Sequence, residues 1–276
     1  MTSLPAVLIT GCSSGIGRAT AQAFLEAGYP TWATARRPSS IADLAAAGAQ
    51  TLALDVTDAG SSRAVVEAVE DTHGSVGVLV NNAGKMVLGA IEELDVDELC
   101  EEFDTNVFGI VRTSQAVLPG MRAARSGHII NVGSIGGIFT APGSGGYQSS
   151  KYAVESVTDA LRMETARFGV KVSLIQPGGV ATNFGANASV AALSSSGPYA
   201  AFNGNLERVA IGALKPGARG VLAPGDVART ILRAAGSPRP RRRYKVGILA
   251  RGIAINQAVS PAWLSDAVMR RSIPDS

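Results

Sequence analysis

Tyr147 and Lys151 stand four residues apart in a segment of helical periodicity, so both side chains project from one face. A phenol can give a proton to a carbonyl oxygen or take one from an alcohol, provided its pKa comes within reach of neutrality. Free tyrosine titrates near ~10, and a neighbouring ammonium favours the phenolate and lowers that value. Ser134, thirteen positions before Tyr147, follows the apolar run His128-Ile129-Ile130-Asn131-Val132 and offers a hydroxyl to steady the same oxygen. A Tyr-x-x-x-Lys pair also arises by chance on exposed helices, and a serine after a strand also caps turns. Neither carries the chemistry alone.

Such chemistry needs a hydride carrier, and Thr10-Gly11-Cys12-Ser13-Ser14-Gly15-Ile16-Gly17 lies where a dinucleotide turn belongs, between an apolar run and a helical pattern. Gly11 permits a tight turn, Gly15 lets backbone approach a pyrophosphate, and Gly17 lets helix and strand pack closely. Ser13 and Ser14 add hydroxyl donors beside the helix N-terminus. The spacing differs from the commoner G-x-G-x-x-G, and a turn without ligand is the other reading. Further on, the second apolar run ends Ala33-Thr34-Ala35-Arg36-Arg37. No carboxylate stands there for the ribose of NAD(H), and Arg36 or Arg37 offers a planar guanidinium to the 2′-phosphate of NADP(H). Two solvated arginines are the alternative; NADP(H) is the expectation.

The elements that must position these groups alternate along the whole chain. Strands are predicted at Ala6 to Thr10, Pro30 to Thr34, Gln50 to Leu54, Val76 to Asn81, Gly127 to Val132, Val170 to Ile175 and Arg243 to Gly247. Helices are predicted at Gly15 to Ala27, Ile41 to Ala47, Ala59 to Thr72, Asp97 to Leu118, Gly146 to Phe168 and Gly225 to Ala235. Short apolar runs alternating with longer periodic segments indicate a parallel sheet with helices on both faces. One doubly wound α/β domain over residues 1–276 is expected. Residues 183–222, rich in small residues and breakers, form either a substrate lid or a floppy insertion. A C-terminal extension, 248–276, is expected to carry a short amphipathic helix around Trp263 to Met269.

Composition narrows the classes. The 276 residues are 46% hydrophobic and 17% charged, with a net charge of +3. That mild excess suits an anionic cofactor and falls short of a nucleic-acid footprint. Only two cysteines, Cys12 and Cys100, and two histidines, His73 and His128, are present, so neither a disulfide framework nor a metal cluster is indicated. No membrane span or signal peptide is read, and a cytoplasmic protein is the expectation. The basic run Pro238 to Arg243 reads as a solvated edge, with weak peripheral contact to an anionic membrane as the alternative.

Taken together, the glycine turn, Asn81-Asn82-Ala83-Gly84, Ser134, Tyr147-x-x-x-Lys151 and Pro177-Gly178 resemble the short-chain dehydrogenase/reductase family. The likeness runs in the family's order from Ala6 to Arg243. It implies a Rossmann domain with a seven-stranded parallel sheet, and a catalytic set of Asn106, Ser134, Tyr147 and Lys151, with Asn106 supporting a water relay. It implies cofactor contacts from Gly11, Ser13, Ser14, Gly15, Ile16 and Gly17, from Asp55 and Val56 at the adenine, and from Asn82, Ala83 and Gly84. Tyr147, Lys151, Pro177, Gly178, Val180 and Thr182 would meet the nicotinamide half, while Asn81 braces the sheet. It further implies homodimers or homotetramers built on the helices at Asp97 to Leu118 and Gly146 to Phe168.

Thr31 to Arg37 and Arg242 to Gly247 are similar to the 17β-hydroxysteroid and retinol dehydrogenase branch, which implies a lipophilic small-molecule carbonyl or alcohol. Phe184, Tyr199 and Phe202 are compatible with an apolar pocket or with lid packing. Smaller aliphatic or aromatic ketones are the runner-up substrates. A non-enzymatic NADP(H) sensor on the same fold is the second class of reading.

Overall fold

Val7 and Ile9 point to one side of a sheet and Leu8 to the other, and all three are buried. This is the burial of a strand covered on both faces. The computed structural model describes residues 4–182, 184, 189–190, 197–212, 217–218, 220–261, 263 and 267. In chain order its strands are β1 (Val7–Ile9), β2 (Thr31–Ala35), β3 (Gln50–Ala53), β4 (Val78–Asn81), β5 (Val87–Leu88), β6 (Gly127–Val132), β7 (Val170–Pro177), β8 (Ser189–Val190) and β9 (Arg243–Val246). Seven of them form one parallel sheet in the order β3-β2-β1-β4-β6-β7-β9, and β5 pairs with β8 beside it.

The helices are α1 (Gly15–Glu26), α2 (Ala42–Ala46), α3 (Ala59–His73), α4 (Val96–Phe103), α5 (Gly109–Ala123), α6 (Gly145–Thr165), α7 (Ala200–Gly212), α8 (Pro224–Ala235) and α9 (Ile248–Val259). Phe24, Leu44 and Ile231 bring α1, α2 and α8 onto the face of Val7 and Ile9. Val66, Val69, Val117 and Met121 bring α3 and α5 onto the face of Leu8 and Leu79. The chain is thus a doubly wound Rossmann-like domain. Strand order reverses between β1 and β4, the place where such sheets open a crevice at their carboxyl ends.

The seven predicted strands and six predicted helical segments are present, with one division. The single helix expected over Asp97 to Leu118 is α4, a π-helical turn at Asp104–Phe108, and α5. The widened turn is where Asn106 sits. The β5–β8 pair, α7 and α9 were not read from the sequence. The helix expected at Trp263 to Met269 lies outside the described residues except for 263 and 267, as does much of the 183–222 segment. Among the described residues no helix is long and apolar enough to cross a membrane.

Candidate active site

The glycine turn joins β1 to α1 and is held from below. Asn82 donates its side-chain amide to the carbonyls of Thr10 and Gly11, each at 3.0 Å, and its backbone N–H to the Thr10 hydroxyl at 3.0 Å. Gly11 has φ of 72°, and a Cβ there would lie 2.8 Å from the Ala83 Cα. A Cβ on Gly17 would lie 2.3 Å from the Gly11 carbonyl oxygen, so only hydrogen fits between helix and turn. The Arg18 guanidinium donates to the Ser13 carbonyl at 3.1 Å and the Ser40 carbonyl at 2.6 Å, and pairs with Asp43. Ser14 makes no side-chain cap to α1, whose first turn carries no acid. That helix terminus suits an anion.

A cleft of about 860 Å³ opens along the carboxyl ends of the strands. Gly11, Ser13, Ser14, Gly15 and Ile16 line it from the turn, and Arg36 from the end of β2. Asp55 and Val56 follow β3, and Asn82, Ala83 and Gly84 follow β4. At the other end stand Ser134, Tyr147 and Lys151, with Pro177, Gly178, Val180 and Thr182 after β7. Three residues expected at the cofactor or in the catalytic set lie off this wall: Gly17 and Asn106 are buried behind it, and Arg37 is exposed at the start of a short 3₁₀ turn. Two hydrogen bonds from Thr57 hold Asp55 below the usual carboxylate range, and Arg36 adds to the effect. A turn with glycines where a Cβ would clash, an open helix N-terminus and a cation at the far wall fit a dinucleotide lying across the sheet.

Ser134 lies two residues past β6, where its hydroxyl accepts from the Gly136 N–H at 3.0 Å and neighbours the Tyr147 phenol. Lys151 is 5% exposed. Its Nζ donates to the Val132 carbonyl at 3.3 Å and stands 5.6 Å from the centre of the Tyr147 ring. Burial pushes the Tyr147 phenol up to about 12, against the pull of Ser134 and with a further push from the Glu102 carboxylate. Burial also lowers Lys151 to about 8, while Glu102 opposes that fall. Desolvation disfavours the charged forms of both groups and is the largest effect on each.

Asn106 is fully buried, and its side chain is taken up by protein. Its Oδ1 accepts from the Lys85 N–H at 2.9 Å; its Nδ2 faces the Lys85 carbonyl at 2.9 Å, Ser150 Oγ at 3.0 Å and Glu102 Oε1 at 3.2 Å. It thus clamps the segment after β4 against α6. Asn81 braces the sheet as the resemblance implies, donating to Asn131 at 2.9 Å and accepting from the Thr113 hydroxyl at 2.7 Å.

Three residues near the site were missed. Glu102 and Ser150 belong to the Asn106 network, and Gln148 accepts from the Ala141 N–H at 2.7 Å, fixing the loop that leads into α6. The one signal for Glu102 was its place a helical turn before Asn106. Phe184 stacks edge-on to Tyr147 at 5.9 Å, and with Met86, Leu88, Phe202 and Leu206 it makes an apolar wall beside the phenol.

Chemically, the cleft presents one hydroxylic proton donor, a serine hydroxyl beside it, a buried amine beneath, and apolar surface where a substrate would enter. The sequence model described as short chain dehydrogenase matches residues 5–192. A 3-ketodihydrosphingosine reductase of Bacteroides thetaiotaomicron is 36% identical over 267 residues, spanning 97% of this chain and 96% of that protein. Human retinol dehydrogenase 8 is 38% identical over 185 residues, spanning 64% of this chain and 60% of that protein. Among solved structures, a short-chain dehydrogenase from Streptomyces avermitilis matches with a TM-score of 0.82 at 33% identity, over 98% of this chain and 97% of that one.

Proposed function

The chain belongs to the short-chain dehydrogenase family, whose oxidoreductases act on alcohols and carbonyls with a nicotinamide cofactor, and we propose that this member uses NADP(H) on a lipophilic substrate. The observation that carries the reading is the convergence of Tyr147, Ser134 and Lys151 on one end of the cleft that Arg36 closes at the other.

When bound, the dinucleotide supplies or accepts the hydride. In the reductive direction Tyr147 gives its phenolic proton to the substrate oxygen, and in the oxidative direction it takes that proton back. Ser134 holds the same oxygen through its hydroxyl. Lys151 supplies positive charge beneath the phenol and would help hold the cofactor's ribose. Asn106 keeps α6 and the segment after β4 in register, so that Tyr147 and the cofactor wall share one frame. Arg36 supports NADP(H) over NAD(H), since no acid stands at the end of β2 to repel a phosphate.

The substrate class rests on the apolar wall of Met86, Leu88, Phe184, Phe202 and Leu206, together with the end-to-end likeness to a reductase whose name specifies a long-chain ketone. Steroid and retinoid carbonyls remain within the same class. We read residues 183–222 as a substrate lid that contributes Phe184, Phe202 and Leu206 to this wall, and 248–276 as an extension of the one domain. We also read the protein as a cytoplasmic homodimer or homotetramer, supported by the unpaired Cys12 and Cys100 and by Phe108 and Tyr152 exposed near and on the helices that would associate.

The test is NADPH oxidation followed across long-chain ketones, steroid ketones, retinal, small aliphatic ketones and quinones. Turnover concentrated on the long or bulky carbonyls is expected. Preference for the small ketones would overturn the substrate class. A panel without turnover, with NADPH still bound, would favour a sensor.

A further inference from the structure

A buried carboxylate that the reaction above leaves unassigned lies directly behind the site. Glu102, at the end of α4, is 0% exposed. Its Oε2 accepts from the Val87 N–H on β5 at 2.9 Å, and its Oε1 stands 3.2 Å from both Asn106 Nδ2 and Ser150 Oγ. Three donors from three separate elements thus converge on one side chain. We propose that Glu102 is a positioning residue for the catalytic group: it locks Asn106 and Ser150 beneath Tyr147 and sets the field in which Tyr147 and Lys151 hold their protons. The inference rests on the assignment of Tyr147 and Lys151 made above.

Ser150 gives this carboxylate two stable arrangements. Its hydroxyl lies 2.7 Å from the Tyr147 carbonyl as well as 3.2 Å from Glu102, and one hydrogen serves one acceptor at a time. With Glu102 ionised, the hydroxyl donates to the carboxylate. With Glu102 protonated, the acid donates to Ser150 Oγ, whose hydrogen turns to the Tyr147 carbonyl. Both states are satisfied, so the group can change charge without leaving a buried orphan. Burial raises it to about 7, against its hydrogen bonds from Val87 and Ser150 and the charges of Lys151 and Lys85. The charged and titratable groups around it are Lys151 and Tyr147 on α6, Lys85 on the segment after β4, and Glu98 and Glu101 on its own helix. Lys85 is paired with Glu101 at 2.8 Å, which leaves Lys151 as the cation whose proton Glu102 most directly stabilises.

The sign follows. An ionised Glu102 holds Lys151 in its ammonium form, so removing that charge lowers the lysine's titration midpoint. The chain has five lysines, so isotopic labelling of lysine side chains gives few NMR resonances, and Lys151→Met identifies the one of interest. In wild type that resonance is expected to titrate near about 8. In Glu102→Gln the midpoint should fall by about half a pH unit or more, with circular dichroism unchanged. An unmoved or raised midpoint in the folded variant overturns the proposal.

Glu102→Gln turns an amide N–H₂ toward one of three donors and can fail to fold. Ser150→Ala then serves, because losing the hydroxyl raises Glu102 and should lower the Lys151 midpoint with the same sign and smaller size. No change in Ser150→Ala, where Glu102→Gln does not fold, likewise overturns it. The titration needs no substrate, so a substrate panel without turnover would sink the reductase reading while leaving this result standing.

Discussion

Lys151 Nζ sits 5.6 Å from the centre of the Tyr147 ring while donating to the Val132 carbonyl, so the amine underlies the phenol without bonding to its oxygen. In these buried surroundings both groups lean toward their neutral forms: the phenol toward about 12 and the amine toward about 8. Both line the cleft, Tyr147 partly exposed and Lys151 buried. The pair's usefulness at neutral pH depends on charge brought in around it, from Glu102 behind and from the dinucleotide in front.

The proposed preference for NADP(H) rests on Arg36. It lines the cleft while its neighbour Arg37 does not, and its charge helps hold Asp55 below the usual carboxylate range. Arg36→Asp should lower the NADPH to NADH ratio of kcat/KM by about tenfold to a hundredfold, the worth of a hydrogen bond to a charged group at ~1.5–3 kcal/mol. Steady-state kinetics with both coenzymes check this. A ratio equal to wild type would remove the argument for a phosphate.

Arg243 ties β9 to α6. Its guanidinium reaches Glu155 Oε2 at 2.8 Å and Asp159 Oδ2 at 2.7 Å, and Glu155 also accepts from Gln176 on β7 at 2.6 Å. Arg243→Ala leaves the nearly buried Glu155 without its cation and should cost about 1–3 kcal/mol, less than a fully buried pair because Arg243 is partly solvated. The Arg243 guanidinium holds Asp159 below the usual carboxylate range. A depressed carboxyl stabilises the fold above its unfolded pKa and loses that contribution as pH falls through its folded value. The Tm gap between wild type and Arg243→Ala should therefore be full at neutral pH and narrow below about pH 4. A gap independent of pH would contradict it.

Helix α7, in the segment proposed as a lid, is fastened at its amino end. Tyr199 donates to Glu92 at 2.8 Å and Asn203 to Glu93 at 2.7 Å, across a hollow lined by Ile91, Pro142 and Phe202. Loosening these contacts with Tyr199→Phe and Asn203→Ala together should raise substrate KM several-fold while leaving NADPH affinity near wild type. Isothermal titration with NADPH alongside kinetics separates the two. A change confined to NADPH binding would argue against a lid.

Much of this was legible in the sequence because a strand buried on both faces writes a continuous apolar run, as Val7 to Ile9 does. The turn residues Gly11 and Gly17 were legible for a similar reason, since each occupies a space that admits no Cβ. The division of the Asp97 to Leu118 helix was not, because the π turn goes with Asn106 reaching the Lys85 backbone, a tertiary contact that leaves helical periodicity intact. The β5–β8 pairing was hidden by its two-residue strands. Glu102 was hidden by company: beside Glu98 and Glu101 it reads as one more acid on a solvated helix, and only the fold turns it inward. The desolvation of Tyr147 was not legible, because spacing reports the nearby ammonium and is silent on burial.

The central claim is that the Tyr147 hydroxyl carries the proton. It is tested most directly by Tyr147→Phe, which keeps the ring packed against Phe184 and deletes one oxygen. Turnover of the best carbonyl substrate and NADPH affinity by fluorescence titration are measured on the same preparation. Turnover should fall by about a hundredfold to ten-thousandfold, the contribution of a positioned general acid, with NADPH affinity within about twofold of wild type, ~0.4 kcal/mol. Undiminished turnover in that variant would contradict the account.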